Sequence, residues 1–182
     1  AAETYSLFAD VHPQHREAPL FQSRVIDVYK QAGFSERVLE EKQAFVERYE
    51  PGSRYWKQHD PAKSPDVMAQ VHRHLRDVAR HYHALAQQQN KQPVYAEAGR
   101  WYRLYLNAFP KSEQAPLMNF LYAELLTSSA QHGAAASEYE RTAYAYGQHD
   151  KAAEAGYAAL LAYQKHEPTL TGHSKAEWHR AG

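Results

Sequence analysis

Apolar residues along this chain recur three and four positions apart, which is the spacing of one face of an α-helix. The longest such pattern covers residues 66–88, where Val71, Leu75, Val78, Tyr82 and Leu85 share one stripe. The same spacing predicts helices over residues 18–32, 36–49, 94–109, 114–130, 134–146 and 150–166, with partial helices at both ends of the sequence. We therefore expect an all-α protein with about seven or eight helices in antiparallel pairs and no strand pairing.

A phrase of sixteen residues occurs twice along the chain. Residues 5–20 read YSLFADVHPQHREAPL and residues 102–117 read YRLYLNAFPKSEQAPL, with six identical positions at an offset of 97 residues. In each copy a proline follows the apolar end of one helix, and Ala-Pro-Leu begins the next, because proline cannot continue a helix but fits its first turn. The phrase therefore marks a joint between stacked helix pairs.

Four such stops divide the chain, at Pro13, Pro51, Pro110 and Gly147, with intervals of 38, 59 and 37 residues. At the fourth stop glycine replaces proline and is predicted to form a left-handed cap. Intervals of this length indicate a helical solenoid. The long interval contains a Pro-, Ser- and Gly-rich loop at residues 52–66. The predicted organisation is one array with a partial repeat 1–13, a repeat 14–51, an expanded repeat 52–110, a repeat 111–147 and a partial repeat 148–182. Within the first complete repeat, Gly33 ends one helix and Ser35 is predicted to cap the next.

Both ends of the sequence carry half of a helix pair. Tyr5 and Phe8 at one end and Trp178 at the other lie on stripes that need a neighbouring helix. We therefore expect a piece of a longer array, with exposed end helices that favour self-association.

Composition restricts the function classes. Lys plus Arg and Asp plus Glu each number 21, so the formal net charge is zero. This balance argues against nucleic acid and against a polybasic membrane contact, because both need surplus positive charge. No apolar run approaches the roughly 18 residues of a membrane-spanning helix, so no membrane insertion is expected. Cysteine is absent, which excludes disulfides, thiolate metal sites and a cysteine nucleophile.

The helix pairs resemble tetratricopeptide repeats. Tyr95, Ala98, Tyr102 and Pro110 match the second-helix half of that pattern, as do Ala135, Tyr139 and Gly147 with one substitution, and Tyr29 and Gly33 match the first-helix half. The sequence AFPKSEQAPL is similar to a Tyr/Phe-Pro-x-Ser-x-x-Ala motif of tetratricopeptide repeats. That motif is typical of the bacterial subclass found in periplasmic and outer-membrane-associated proteins. Lys42 and the inserted Glu50 depart from the pattern. The resemblance implies a right-handed α-solenoid of antiparallel helix pairs.

The same resemblance implies a non-catalytic scaffold that binds a protein or peptide partner, in a larger bacterial envelope, secretion or assembly protein. Periplasmic or outer-membrane-associated localisation follows from it, with the cytoplasm as the alternative. First helices line the groove of such an array. By register, the groove residues are Ser23, Asp27 and Lys30 in the first complete repeat and Glu124, Thr127 and Ser128 in the third. Glycan binding and homotypic assembly are alternatives within the binding class.

A cluster of histidines in HRHLRDVARHYH (72–83) suggests a metal site, the rival hypothesis. One helix chelates a metal through ligands three or four positions apart. Only His74, Asp77 and His81 share an edge, and the two histidines are about 10 Å apart, two helical turns. We therefore expect no native metal site and no cofactor, with these histidines facing water or a neighbouring repeat. A metal-dependent or enzymatic role centred on this helix remains the alternative.

Catalytic motifs are missing from the sequence. The TSS at 127–129 has no nucleophile-elbow turn, and no glycine-rich phosphate loop exists. No enzyme activity is expected. Most stripe tyrosines are predicted to be core residues: Tyr5, Tyr29, Tyr82, Tyr102, Tyr139 and Tyr157. Tyr55 and Trp56 in the inserted loop, together with Trp101, are predicted to be exposed, and the two loop residues are a candidate binding site.

Overall fold

The computed structural model describes residues 2–170, and every regular element in this range is a helix. The α-helices are α1 (Ala2–Val11), α2 (Ala18–Gln31), α3 (Ser35–Tyr49), α4 (Pro65–Gln89), α5 (Gln92–Ala108), α6 (Ala115–Ser128), α7 (His132–Tyr144) and α8 (Ala152–His166). Short 3₁₀ turns cover Arg54–Lys57, Pro61–Lys63 and Glu167–Thr169. The all-helical prediction is confirmed for the described residues. The predicted end helix that carries Trp178 lies outside them.

The chain divides into two compact units, unit 1 (Ala1–His81) and unit 2 (Tyr82–Gly182), and the boundary falls inside α4. Helices that follow one another in sequence pack together. In unit 1, α1 packs on α2 and α2 on α3; in unit 2, α5 packs on α6, α6 on α7 and α7 on α8. Neighbouring helices are therefore packing partners, as expected for helix pairs, and the solenoid arrangement stays a prediction.

The duplicated phrase folds into the same joint twice. Three backbone hydrogen bonds of 2.9 Å define the first copy. The amide of His12 donates to the carbonyl of Phe8, the amide of His15 to the carbonyl of His12, and the amide of Ala18 to the carbonyl of His15. The equivalent hydrogen bonds in the second copy run from Phe109 to Tyr105 at 2.9 Å, from Ser112 to Phe109 at 3.2 Å and from Ala115 to Ser112 at 2.9 Å. The residues before α2 and α6 also share a backbone conformation, φ −92° at Glu17 and −88° at Gln114. The sequence repeat is thus a structural repeat.

Left-handed residues end two helices through the same hydrogen-bond pattern. Gly33 has φ 77°; its amide donates to the Lys30 carbonyl at 3.2 Å, and the Phe34 amide donates to that of Tyr29 at 3.0 Å. This is a Schellman cap, which suits glycine because a left-handed residue without a side chain has no steric penalty. At the end of α6 the equivalent left-handed residue is Ala130, with φ 60°.

Two predicted caps are wrong. Ser35 is the first residue of α3 rather than its cap; Phe34 holds the cap position and no side chain accepts a hydrogen bond there. Gly147 does not form a left-handed cap, because α7 already ends at Tyr144 and the positive-φ glycines of the described residues are Gly33 and Gly52.

One residue of the inserted loop of unit 1, Tyr55, is part of the core. Tyr55 is only 1% exposed, so its predicted exposure is wrong. Its ring lies 5.0 Å from that of Tyr49 and stacks on His59 at 4.2 Å, and its hydroxyl donates to the Arg16 carbonyl at 3.2 Å. Trp56 is half-buried and donates its Nε1–H to the Tyr49 carbonyl at 2.9 Å. The loop therefore covers the end of α3, which leaves Tyr55 unsuited to binding a partner.

Unit 2 has an aromatic core on α5. Trp101 is fully buried, contrary to prediction, and its ring stacks at 6.4 Å on that of Tyr82. Tyr157, predicted to be buried, is 66% exposed. The reason is that α8 buries a stripe of Ala155, Ala159 and Ala162 against α7, and a residue two positions from Ala155 points to the opposite side of the helix. Of the other predicted core tyrosines, Tyr102 and Tyr139 are buried and Tyr5, Tyr29 and Tyr82 half-buried.

A buried polar network joins α6 and α7. Asn119 is fully buried, and its Nδ2 donates to the Glu138 carbonyl at 2.7 Å and to Thr142 Oγ1 at 2.9 Å. Its Oδ1 accepts from the Tyr146 hydroxyl at 3.2 Å. Because a buried amide is costly without partners, these hydrogen bonds fix how the two helices meet.

Candidate functional site

A cavity of about 400 Å³, lined mostly by residues with polar side chains, lies in unit 1 between α2 and α4. It is lined by Leu20, Ser23, Arg24, Ile26, Asp27 and Lys30 of α2, Lys42 of α3, and Gln70, Arg73, His74 and Asp77 of α4. The spacing on each helix explains the two walls. Lining residues recur at three and four positions, beside the buried stripes that hold the helices together. We call this cavity the unit 1 groove.

All three predicted groove residues of the first complete repeat line this cavity. Ser23, Asp27 and Lys30 follow one another along α2, three and four positions apart. Ser23 Oγ donates to the Pro19 carbonyl at 2.8 Å and also hydrogen-bonds to the Gln70 side chain across the groove. The three residues therefore share one wall of this cavity, and their role as binding residues stays a prediction.

The groove carries more positive than negative charge. Its charged lining consists of four cations and two carboxylates: Arg24, Lys30, Lys42, Arg73, Asp27 and Asp77. Lys42 and Asp77 neutralise each other, since their Nζ and Oδ2 atoms are 2.7 Å apart and both side chains are partly buried. Three cations and one carboxylate are left, so the groove has a surplus of positive charge.

His74 is an uncharged part of the lining near neutral pH. It is 6% exposed, and its ring meets Phe45 edge-on at 5.2 Å. Burial lowers the pKa of His74 to about 4. The neighbouring charges of Lys42 and Arg73 also lower it, whereas the carboxylate of Asp77 raises it. No hydrogen-bond partner for its Nδ1 exists among the described residues.

The three residues of the alternative metal site do not line one cavity. His74 and Asp77 line the groove, but His81 is exposed and is not part of the lining. Asp77 is already paired with Lys42, whose charge opposes a metal cation. Among residues 2–170 no group of three or more His, Asp or Glu side chains is arranged to hold a metal ion.

His74 and His83 are both buried, because they flank the apolar stripe of α4 closely enough to enter the core. His74 packs on Phe45 of the preceding predicted repeat, which is one of the two expected environments, whereas His83 faces neither water nor a neighbouring repeat. His83 Nδ1 lies 2.9 Å from the Tyr102 hydroxyl, and burial lowers the pKa of His83.

The predicted groove residues of the third complete repeat belong to α6 of unit 2, and their use as a binding surface stays a prediction. Glu124 is half-buried, and burial raises its pKa against the effect of Lys151. Thr127 donates to the Ala123 carbonyl of its own helix at 3.0 Å, and Ser128 is exposed. None of the three lines the 150 Å³ cavity that unit 2 has between α5 and α6.

Aromatic side chains occupy the unit 2 positions that correspond to two residues of the unit 1 groove. At the offset of 97 residues, Ser23 and Lys42 of the unit 1 groove correspond to Phe120 and Tyr139. Phe120 and Tyr139 are buried, and their rings meet at 5.5 Å. Aromatic packing takes the place of two polar lining residues.

Sequence reasoning did not identify the second wall of the groove, although it named His74 and Asp77 as alternative metal ligands. Gln70, Arg73, His74 and Asp77 repeat at three and four positions along α4, next to the apolar stripe. That spacing is readable from the sequence. Arg24 and Lys42 were also missed, and no local signal separates them from other surface cations.

An apolar pocket of about 410 Å³ lies at α1 and α2 of unit 1. The predicted end stripe is partly covered here, since the rings of Tyr5 and Phe8 lie 5.8 and 4.4 Å from that of Phe21. The more exposed apolar residues are Leu7 and Val11, at 64% and 59%.

Comparisons with protein-family models, curated proteins and solved structures gave no match for this chain. The tetratricopeptide-repeat assignment therefore stays a prediction from the sequence. Among the described residues, no helix has the length and apolar character needed to cross a membrane.

Proposed function

We propose that this protein is a non-catalytic interaction scaffold of the tetratricopeptide type, which binds a peptide segment of a protein partner in the unit 1 groove. The observation that carries the proposal is the agreement between register and cavity. Ser23, Asp27 and Lys30, chosen as groove residues from sequence alone, line one cavity together with a second helix.

The chemistry of the lining supports a peptide as ligand. An extended peptide presents backbone amides and carbonyls that need partners when they leave water. Ser23, Asp27 and Gln70 supply hydrogen-bonding groups along both walls, and Leu20 and Ile26 supply apolar contact. The similarity of AFPKSEQAPL to bacterial envelope proteins supports a role in envelope assembly or secretion.

Selection from a phage-displayed library of random peptides, with the full chain as bait, tests this proposal. We expect selected peptides to lose about fivefold in affinity on Asp27→Ala or Lys30→Ala, because each lost contact is worth roughly 1 kcal/mol. Lys57→Ala is the matched control, since Lys57 is exposed and lies outside the groove. A selection that yields no peptide, or peptides that bind both groove variants unchanged, would refute the proposal.

Self-association is a second candidate, favoured by the exposed apolar residues of the outer helices. Tyr157, Leu160 and Leu161 of α8 are 66%, 61% and 42% exposed, and Leu7 and Val11 of α1 are more than half exposed. Sedimentation velocity over a range of concentrations tests it. Association that weakens in Leu160→Gln supports this role, and a strict monomer at high concentration contradicts it.

A further inference from the structure

We infer that the unit 1 groove selects acidic peptide segments, whose carboxylates are bound by Arg24, Lys30 and Arg73. This inference rests on the proposed peptide-binding function and names the class of ligand. It starts from the charges that remain in the groove once the ion pair between Lys42 and Asp77 is set aside.

The three cations are available to a ligand. Among the described residues, none of Arg24, Lys30 and Arg73 forms an ion pair with a carboxylate. All three residues are exposed, so their charged groups remain hydrated in the free protein. Asp77 is paired with Lys42, so Asp27 is the lining carboxylate that opposes these three cations, and the groove keeps an excess of two positive charges.

The two walls place these charges on both sides of the cavity. Arg24 and Lys30 belong to α2, and Arg73 belongs to α4. A segment lying between the helices therefore meets cations from each side. Arginine suits this task because its planar guanidinium can donate two parallel hydrogen bonds to one carboxylate.

The remaining lining restricts the ligand to modest negative charge. Asp27 and the paired Asp77 repel a dense polyanion, and the neutral His74 adds no positive charge near pH 7. Nucleic acid binding relies on many phosphate contacts, whereas this groove offers three unpaired cations and the chain has no net charge. A segment with a few glutamates or aspartates fits these limits better than a nucleic acid.

Three fluorescein-labelled peptides test the inference by fluorescence anisotropy with the full chain. They share one Gly-Ser background and differ only in carrying glutamates, glutamines or lysines at the same positions. We expect the glutamate peptide to bind about tenfold more tightly than the glutamine peptide, from two exposed ion pairs of roughly 0.7 kcal/mol each. Its affinity falls as salt rises from about 50 to about 300 mM, because salt screens exposed charges.

Charge reversal supplies the matched variants. Arg73→Glu removes the preference for the glutamate peptide and improves binding of the lysine peptide. Arg80→Glu makes the same change on the same helix, at an exposed position outside the groove, and leaves the preference intact. Circular dichroism of both variants checks that they keep the helical content of the parent chain.

Failure of the inference is distinguishable from failure of the proposed function. If library-selected peptides bind in the groove but the glutamate and glutamine peptides bind equally, the acidic preference is wrong and the peptide-binding function stands. If a single-stranded oligonucleotide displaces the glutamate peptide and its binding depends on Arg73, the ligand is a nucleic acid and the inference is overturned. If no peptide binds, from the library or the designed set, both ideas fall.

Discussion

Removing the imidazole of His74 is expected to make the protein more resistant to acid. The pKa of His74 falls from its ordinary value of 6.5 to about 4 in the folded chain. The unfolded chain therefore takes up the proton first, and stability falls as the pH drops from about 6.5 towards 4. The full shift corresponds to roughly 3 kcal/mol, at about 1.4 kcal/mol per pKa unit. About 2 kcal/mol of this loss falls between pH 7.5 and pH 5.0.

Urea denaturation at these two pH values measures the effect. His74→Gln removes the titrating group, so the free energy of unfolding of this variant should fall by about 2 kcal/mol less than that of the parent chain over the same interval. Other groups with shifted pKa values, such as Glu41 and His83, are present in both proteins and cancel in the comparison. His81→Gln, the same change at an exposed position of α4, controls for the loss of a histidine as such.

The result that refutes this reasoning is an equal loss of stability in the parent chain and in His74→Gln. Such an equality would mean that the pKa of His74 is the same in the folded and the unfolded chain, so that the attraction of Asp77 for the protonated ring balances the opposing effects of burial, Lys42 and Arg73. Titration of the His74 ring by NMR then decides the matter directly, because the ring carbon shift reports the protonation state.

Three further changes test the fold by chemical denaturation. Ala130→Gly should stabilise the protein by roughly 0.5–1 kcal/mol, because glycine adopts the left-handed φ of 60° without strain. For the same reason, Gly33→Ala should destabilise the protein by a similar amount. Asn119→Ala should lower the free energy of unfolding by roughly 2 kcal/mol or more, since it leaves buried hydrogen-bonding groups of α7 without a partner. Trp101→Ala should lower the free energy of unfolding by about 3–5 kcal/mol, because it removes a fully buried side chain. Tyr144→Ala, at a residue that is 79% exposed, should change the free energy of unfolding by no more than about 0.5 kcal/mol. Equal effects at the two sites would contradict the burial of Trp101.

The helices were predictable because their signals are local. Pro19, Pro93 and Pro116 stand in the first turns of α2, α5 and α6, where proline is favoured. The apolar stripe predicts α4 over residues 66–88, and the helix covers Pro65–Gln89. Neither signal depends on what packs against the helix, and so both can be read from one sequence.

Burial at particular residues was not predictable, because it depends on contacts distant in sequence. Tyr55 looks like a loop residue until the loop is placed against Arg16 and Tyr49, as much as 39 residues away. Tyr157 looks like a core residue until the alanine stripe of α8 is seen to face α7. In each case the deciding neighbour belongs to another element, and a periodic pattern does not identify it.

The repeat preserves the joint between helices more closely than it preserves the residues of the unit 1 groove. The offset of 97 residues preserves the joint, with matching backbone hydrogen bonds, because the joint sets how one helix pair follows another. The same offset does not preserve the groove: Ser23 and Lys42 become Phe120 and Tyr139, and Lys151 lies over the Phe120 ring at 4.7 Å. Both copies of the repeat share the joint, whereas the groove lining differs between them. Recognition is therefore expected to reside in the residues that break the repeat, and in unit 1 these are the polar and cationic residues of the groove.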